Sequence, residues 1–243
     1  MEFAVTGCMD GASDLVGADG NLAARAAALI SGAADATASH LQFRVWLDKR
    51  IPVAAGLGGG SADAAGVLRA GARLLARQGV EVDAGELIAI AAELGSDVPA
   101  LLEVRAVRAT GRGERVVPAA TGPMHMTVVF VAPSLTGDVY AALLPAERRG
   151  GGRVERLAAT LETGLAPDST LLGSALESAA CRVSEELSAG IARLRAAVPE
   201  VLWHMTGSGG AFFCIAADHA QATSVAKDAS SAGFVARACR TVR

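Results

Sequence analysis

The strongest chemical signal in the sequence is one short run, Pro52-Val53-Ala54-Ala55-Gly56-Leu57-Gly58-Gly59-Gly60-Ser61-Ala62. Glycine lacks Cβ, so such a run can take unusual dihedrals and let its backbone approach a ligand closely. Successive N–H groups can then converge on phosphate oxygens, and a helix opening near Ser61 would add unpaired amides and the positive end of its dipole. A polyphosphate is the ligand these properties suit. Two familiar loops are excluded. No lysine follows the glycines, as the Walker loop requires, and Ser61 stands where the dinucleotide fingerprint needs its last glycine. The plainer alternative is a tight turn where a helix packs on a sheet, although four glycines within five residues exceed what a turn needs.

Other positions carry chemistry of lower specificity. Asp97, two residues before Pro99, reads as a helix N-cap. Lys49 follows a strand and by itself reads as a solvated charge, and Asn21 as a helix cap. Gly207-Ser208-Gly209-Gly210 reads as a hairpin turn. Asp63 and Glu114 are carboxylates that could approach a magnesium ion, but their spacing does not demand one. His40, His125, His204 and His219 are dispersed, without ligand spacing. The four cysteines, Cys8, Cys181, Cys214 and Cys239, form no CxxC pair, so neither a zinc site nor a disulfide framework is expected.

The elements that must position these residues follow from periodicity. Phe3 to Thr6 reads as the end of a strand, and Gly7 to Gly20 as a loop. Asn21 to Ile30 is an alanine-rich helix. Leu41 to Leu47 alternates apolar and polar residues, as a half-buried strand does. The glycine run comes next, then a helix over Ser61 to Arg77. Asp83, with Glu86 three residues on, opens a helix that ends at Leu94 before Gly95. Ser96 to Pro99 opens a short one. Val104 to Thr110 and Thr127 to Val131 read as strands. Arg148 to Arg153 reads as a surface loop. Two helical stretches cover Ser174 to Ala197; Trp203 to Thr206 leads into the turn at Gly207 to Gly210, followed by a strand over Ala211 to Ala216, a helix over His219 to Ala232 and a final strand over Phe234 to Cys239. Helices and strands mix without strict alternation, which favours an α+β class. Thr121-Gly122-Pro123 is the candidate domain boundary.

Composition narrows the function. About half of the 243 residues are apolar (51%), enough for a sizeable core. The net charge of −3 argues against a nucleic-acid surface. The first residues lack a basic and then apolar pattern, and no apolar stretch of about 18 residues occurs. A cytoplasmic protein, monomer or homodimer, with a small-molecule substrate and neither nucleic-acid nor membrane partners is the expectation.

Taken together, the glycine run, Lys49-Arg50-Ile51-Pro52 before it, Leu94-Gly95-Ser96-Asp97-Val98-Pro99, Gly111-Arg112-Gly113-Glu114 and Met205-Thr206-Gly207-Ser208-Gly209-Gly210-Ala211 resemble, in this order, the motifs of the GHMP kinases. They resemble most the branch acting on a CDP-linked methylerythritol in the non-mevalonate isoprenoid route. The resemblance implies a ribosomal-protein-S5-like ATP-binding domain over residues 1–122, without the family's first strands, and a ferredoxin-like domain over 123–243. It implies transfer of the ATP γ-phosphoryl group to the 2-hydroxyl of CDP-methylerythritol, with Mg2+ screening the phosphates. It marks Asp97 as catalytic and substrate-binding, Pro52 to Ala62 with Asn21 and Lys49 as ATP-binding, and Thr136 as substrate-binding. The turn at Gly207 is implied to pack beside the phosphate loop. Relatives open on a Pro-Ala-Lys-x-Asn segment and a Gly-Tyr-His stretch. Here the lysines are Lys49 and Lys227 and the one tyrosine is Tyr140, none in such a motif. A late start site, a true truncation and a member without catalysis are all compatible with this, as is a GHMP kinase for another small alcohol.

Overall fold

The structure, a computed structural model, describes residues 2–7, 20–33, 44–148, 152–164 and 167–241; for 2–7 it describes the backbone alone. Most of the loop expected over 7–20, residues 41–43 of the expected strand, Cys8, His40 and the centre of the Arg148–Arg153 tract lie outside the described residues. The chain divides into two compact units. One comprises Met1–Val53 and Gly58–Pro118, the other Ala54–Leu57 and Ala119–Arg243.

In the first unit, β1 (Glu2–Gly7) and β2 (Arg44–Lys49) pair in parallel, from Glu2 opposite Arg44 to Gly7 opposite Lys49. Along β2, Arg44, Trp46 and Asp48 face out while Val45 and Leu47 are half-buried, the alternation a one-sided strand requires. Asn21 accepts the Ala23 amide at 2.9 Å and so caps α1 (Leu22–Gly32). That helix packs on α2 (Gly59–Ala76) through Ala26, Ile30, Ala64, Ala65, Leu68 and Leu75. Small residues bring the two helices close: a β-carbon on Gly71 would stand 2.8 Å from Ile30 Cγ2. Burying Ile30, Leu68 and Leu75 contributes about 1.5–3 kcal/mol each as an upper estimate. The Asp83 carboxylate accepts the Gly85 and Glu86 amides and opens α3 (Ala84–Leu94), as the sequence indicates. At its end Gly95 is extended (φ 169°) rather than left-handed, and the chain runs directly on into α4 (Val98–Leu102). A hairpin of β3 (Val107–Thr110) and β4 (Arg115–Pro118) follows; the strand expected from Val104 begins at Val107.

The second unit is built on β5 (His125–Phe130), β6 (His204–Met205), β7 (Ala211–Ala216) and β8 (Val235–Arg240), an antiparallel sheet of order β6-β7-β5-β8. Around it stand α5 (Thr136–Ala141), α6 (Arg153–Glu162), α7 (Glu177–Val183), α8 (Glu185–Ala197) and α9 (His219–Ser231). Its core joins Val129, Phe212 and Cys214 of the sheet to Leu187, Ile191, Leu194 and Ala229 of the helices, with Trp203 and Met205 beside them. The Trp203 indole N–H donates to the Val198 carbonyl at 3.2 Å, so its one polar atom is satisfied on burial. The α+β class is as expected. No helix among the described residues is long and apolar enough to cross a membrane.

Candidate functional site

The glycine run is shared between the two units, and each holds its part differently. In the second unit, Ala54 to Gly56 are tied by three hydrogen bonds. The Ala54 carbonyl accepts the Ser134 amide (3.0 Å), the Ala55 carbonyl accepts the Ala211 amide (2.8 Å), and the Gly56 carbonyl accepts the Thr206 hydroxyl (2.9 Å). The fit is tight enough to dictate residue type. A β-carbon on Gly56, whose φ is +69°, would overlap the Gly209 carbonyl oxygen, and one on Gly210 would overlap that of Ala54. The turn at Gly207 thus packs on the first part of the loop, as the resemblance implies. It is braced in turn by Ser134, whose hydroxyl donates to the Ser208 carbonyl at 3.0 Å, and by Thr136, whose hydroxyl shares a 2.7 Å hydrogen bond with that of Ser208. Ala54 itself is held at φ +57°, a left-handed conformation an L-residue adopts only at a cost.

In the first unit, Gly58 takes φ +66° and opens α2 without a side-chain cap. Helix bonding starts with the Ala62 amide donating to the Gly58 carbonyl at 2.8 Å, so the amides of Gly59, Gly60 and Ser61 precede it and belong to the open first turn. Lys49, at the end of β2, is buried at 6% exposure. Its ammonium pairs with Asp63 of α2 at 2.5 Å and would lie 3.6 Å from a β-carbon on Gly59. Lys49 is therefore not the solvated charge its own residue type suggests. It is a buried cation at the open turn of a helix, fixed by a carboxylate a turn further on. Three free amides beside an ammonium already paired with a carboxylate are an arrangement able to accept phosphate oxygens.

Asp97 occupies the N-cap position of α4, yet its backbone is helical (φ −89°, ψ −16°) and its side chain makes no capping bond. The capping role read from residue type is not realised, and the carboxylate is exposed and available. The segment before it is pinned by the Gly111–Glu114 turn. A β-carbon on Gly113 would overlap the Ser96 carbonyl oxygen. Glu114 folds back on that turn, accepting the Arg112 amide at 2.7 Å, and these backbone hydrogen bonds hold its carboxyl below the usual carboxylate range. Asp63 is committed to Lys49, and no group of three or more His, Cys, Asp or Glu that could hold a metal ion occurs among the described residues.

Pro52 to Ala62, Lys49 and Asp97 thus fall within a few short segments, and Asn21 caps α1. Thr136 is engaged with Ser208. Sequence reasoning missed the Lys49–Asp63 pair, the roles of Thr206 and Ser134 in gripping the loop, and helices α5 and α6. Thr206 had a signal, since it lies in the motif around Gly207; the others had none.

Comparisons with known proteins show which family the chain belongs to. A family model for the GHMP kinases N terminal domain matches residues 21–103. A 4-diphosphocytidyl-2-C-methyl-D-erythritol kinase of Thermus thermophilus is 42% identical over 207 residues, which span 83% of this chain and 70% of the relative. A crystal structure of a 4-(cytidine 5'-diphospho)-2C-methyl-D-erythritol kinase superposes with a TM-score of 0.74 at 35% identity, covering 99% of this chain and 83% of that one. A homoserine kinase from Cytophaga hutchinsonii shares the fold, with a TM-score of 0.67 at 15% identity and coverage of 99% and 82%.

Proposed function

Because the chain belongs to the 4-diphosphocytidyl-2-C-methyl-D-erythritol kinase family, a branch of the GHMP kinases, we propose that it transfers the γ-phosphoryl group of ATP to the 2-hydroxyl of 4-diphosphocytidyl-2-C-methyl-D-erythritol. The observation that carries the phosphate-loop assignment is Gly60. It is an exposed helical residue, and a β-carbon there would meet nothing closer than Leu22 Cδ1 at 3.7 Å, an ordinary contact. Alanine would fit and would stabilise the chain by about 0.4–1 kcal/mol, mainly through the unfolded state. The fold does not ask for glycine here, whereas phosphates seated on the open first turn of α2 do.

In this reading the domain of residues 1–122 binds ATP and that of 123–243 completes the enzyme. The amides of Gly59 to Ser61 and the Lys49 ammonium hold the phosphates, which is most of what phosphoryl transfer asks of a protein. Pro52 to Gly58 set the course of the backbone into that cradle, and Asn21 caps α1, whose Leu22 lies against Gly60. Asp97, exposed and free of capping, accepts or orients the proton of the attacking hydroxyl. Thr136 contributes to the substrate side through a hydroxyl that is already positioned by Ser208. Mg2+ enters from the chemistry of ATP alone. Asp63 and Glu114 both have protein partners already, and no group of three or more His, Cys, Asp or Glu that could hold a metal ion occurs among the described residues. A soluble location in the cytoplasm and a monomeric or dimeric state complete the proposal. The test is ADP release by the purified chain given ATP and 4-diphosphocytidyl-2-C-methyl-D-erythritol, with the phosphorylated product identified by mass. Tight ATP binding with no product would overturn the kinase reading.

A further inference from the structure

The second unit contains a cavity of about 480 Å³ that the phosphate loop does not use. Its walls are largely apolar, with Val154 and Leu157 of α6, Leu172 and Phe213. One charged side chain, Arg153, lines it. The Arg153 Nη2 donates to the carbonyls of Leu171 (3.2 Å), Leu172 (2.5 Å) and Gly173 (3.5 Å), which fixes the guanidinium against the 171–173 segment. Its Nε is buried without a hydrogen-bond partner, and no carboxylate pairs with the group among the described residues. Arg153 is partly buried, and carbonyl oxygens orient its guanidinium without neutralising it, so an anion entering the cavity meets an oriented cation with no carboxylate partner among the described residues.

We propose that this cavity is a second small-molecule site, taking an amphipathic anion whose carboxylate or phosphate faces Arg153 and whose apolar body lies along α6. A volume in this range with one fixed polar group suits a ligand of modest size. The site is independent of the kinase reading. One consequence does rest on that reading. Thr206 and Gly207 line the cavity, and Thr206 also grips Gly56, so occupancy and ATP affinity influence one another by the same factor in both directions.

Calorimetric titration of the full chain without nucleotide tests the site, with octanoate and octyl phosphate as probes and 1-octanol as the uncharged control. Saturable binding of either anion at one site per chain is expected, with the alcohol weaker by about tenfold or more, a difference of about 1.4 kcal/mol. Ala175→Phe, at an exposed position on the cavity wall, is expected to abolish binding with the unfolding temperature retained. Arg153→Met is expected to reduce both anions to the level of the alcohol. Should that variant fail to fold, the alcohol comparison and Ala175→Phe decide alone. No saturable anion binding, equal affinity for 1-octanol, or undiminished binding by Ala175→Phe would each overturn the site. ATP titration at saturating octanoate then reads the coupling. An unshifted Kd removes the coupling, and absent ATP binding removes the kinase reading, while the site stands in either case.

Discussion

The two parts of the glycine run use glycine for opposite reasons. Gly56, with Gly207 and Gly210 opposite it, is glycine because the protein's own backbone fills the space a side chain would need. Gly60 is glycine although the protein leaves that space open. The first part is therefore scaffold, closed by hydrogen bonds to Ser134, Thr206 and Ala211. The second is a receptacle, backed by a buried ammonium and open on its outer side. A glycine-rich motif read as one unit in sequence is thus two devices in space, one answering to the fold and one to a ligand.

Asp97→Asn should have the largest effect and should sharpen the separation between fold and chemistry. A kcat loss of about 10²- to 10⁴-fold is expected, with no change in unfolding temperature, because the carboxylate makes no capping bond. Steady-state kinetics beside a thermal melt reads both, and an unchanged kcat would remove Asp97 from the mechanism. Gly56→Ala should act through the scaffold. It forces a β-carbon onto the Gly209 carbonyl at a left-handed residue, and a destabilisation of about 1–3 kcal/mol or more is expected in urea unfolding. Gly60→Ala should do the reverse, raising stability by about 0.4–1 kcal/mol while weakening ATP binding by about tenfold. If Gly60→Ala leaves the ATP Kd unaltered, the distinction between scaffold and receptacle collapses.

Asp63→Asn removes the counter-ion of Lys49. Breaking a fully buried pair costs about 3–5 kcal/mol; Asp63 is a quarter exposed, so about 1–3 kcal/mol is expected here. The double variant with Lys49→Met should recover part of that stability and none of the ATP affinity, and a double-mutant cycle measures the coupling. The smallest effect concerns the second unit alone. Arg182 grips Glu147 through two hydrogen bonds of 2.9 and 2.7 Å, and that partner holds the Glu147 carboxyl down to about 2. A carboxylate depressed in the folded state stabilises above its unfolded pKa and loses that contribution as pH falls through the folded one. The wild type should therefore lose slightly more stability than Glu147→Gln between about pH 4.5 and 2, seen in melts across that window.

Much of the fold was legible because local chemistry declares it. Asp83 and Asn21 cap the helices their positions suggest, and strand β7 sits where its apolar run does. What was not legible depends on distance or on a missing signal. Helix α6 follows Gly152 at φ +68°, has no side-chain cap and buries no residue, so neither a start signal nor a core face announces it. Lys49 and Asp63 meet across a strand and a helix, and nothing in either residue's neighbourhood names the other. Asp97 shows the converse fault: its type and position fit a cap, but its backbone is helical, so the bond that defines a cap is absent. The segments of the candidate site were legible because each motif is short and contiguous. Which glycine serves which purpose required coordinates.

The tie between Ala54–Gly56 and the Thr206–Ala211 turn has a bearing on biosynthesis. The carbonyl of Gly56 and the hydroxyl of Thr206 are 150 residues apart in the chain. At roughly 5–20 residues per second, a ribosome completes the second partner many seconds after the first. Until then the Ala54–Gly56 backbone lacks both the hydrogen bonds and the walls that hold it in its unfavourable dihedrals. Nascent chains in which Thr206 to Ala211 have not yet emerged from the ribosome should therefore carry a formed α2 but a slack approach to it, and capture on immobilised ATP should begin only once Ala211 has left the exit tunnel.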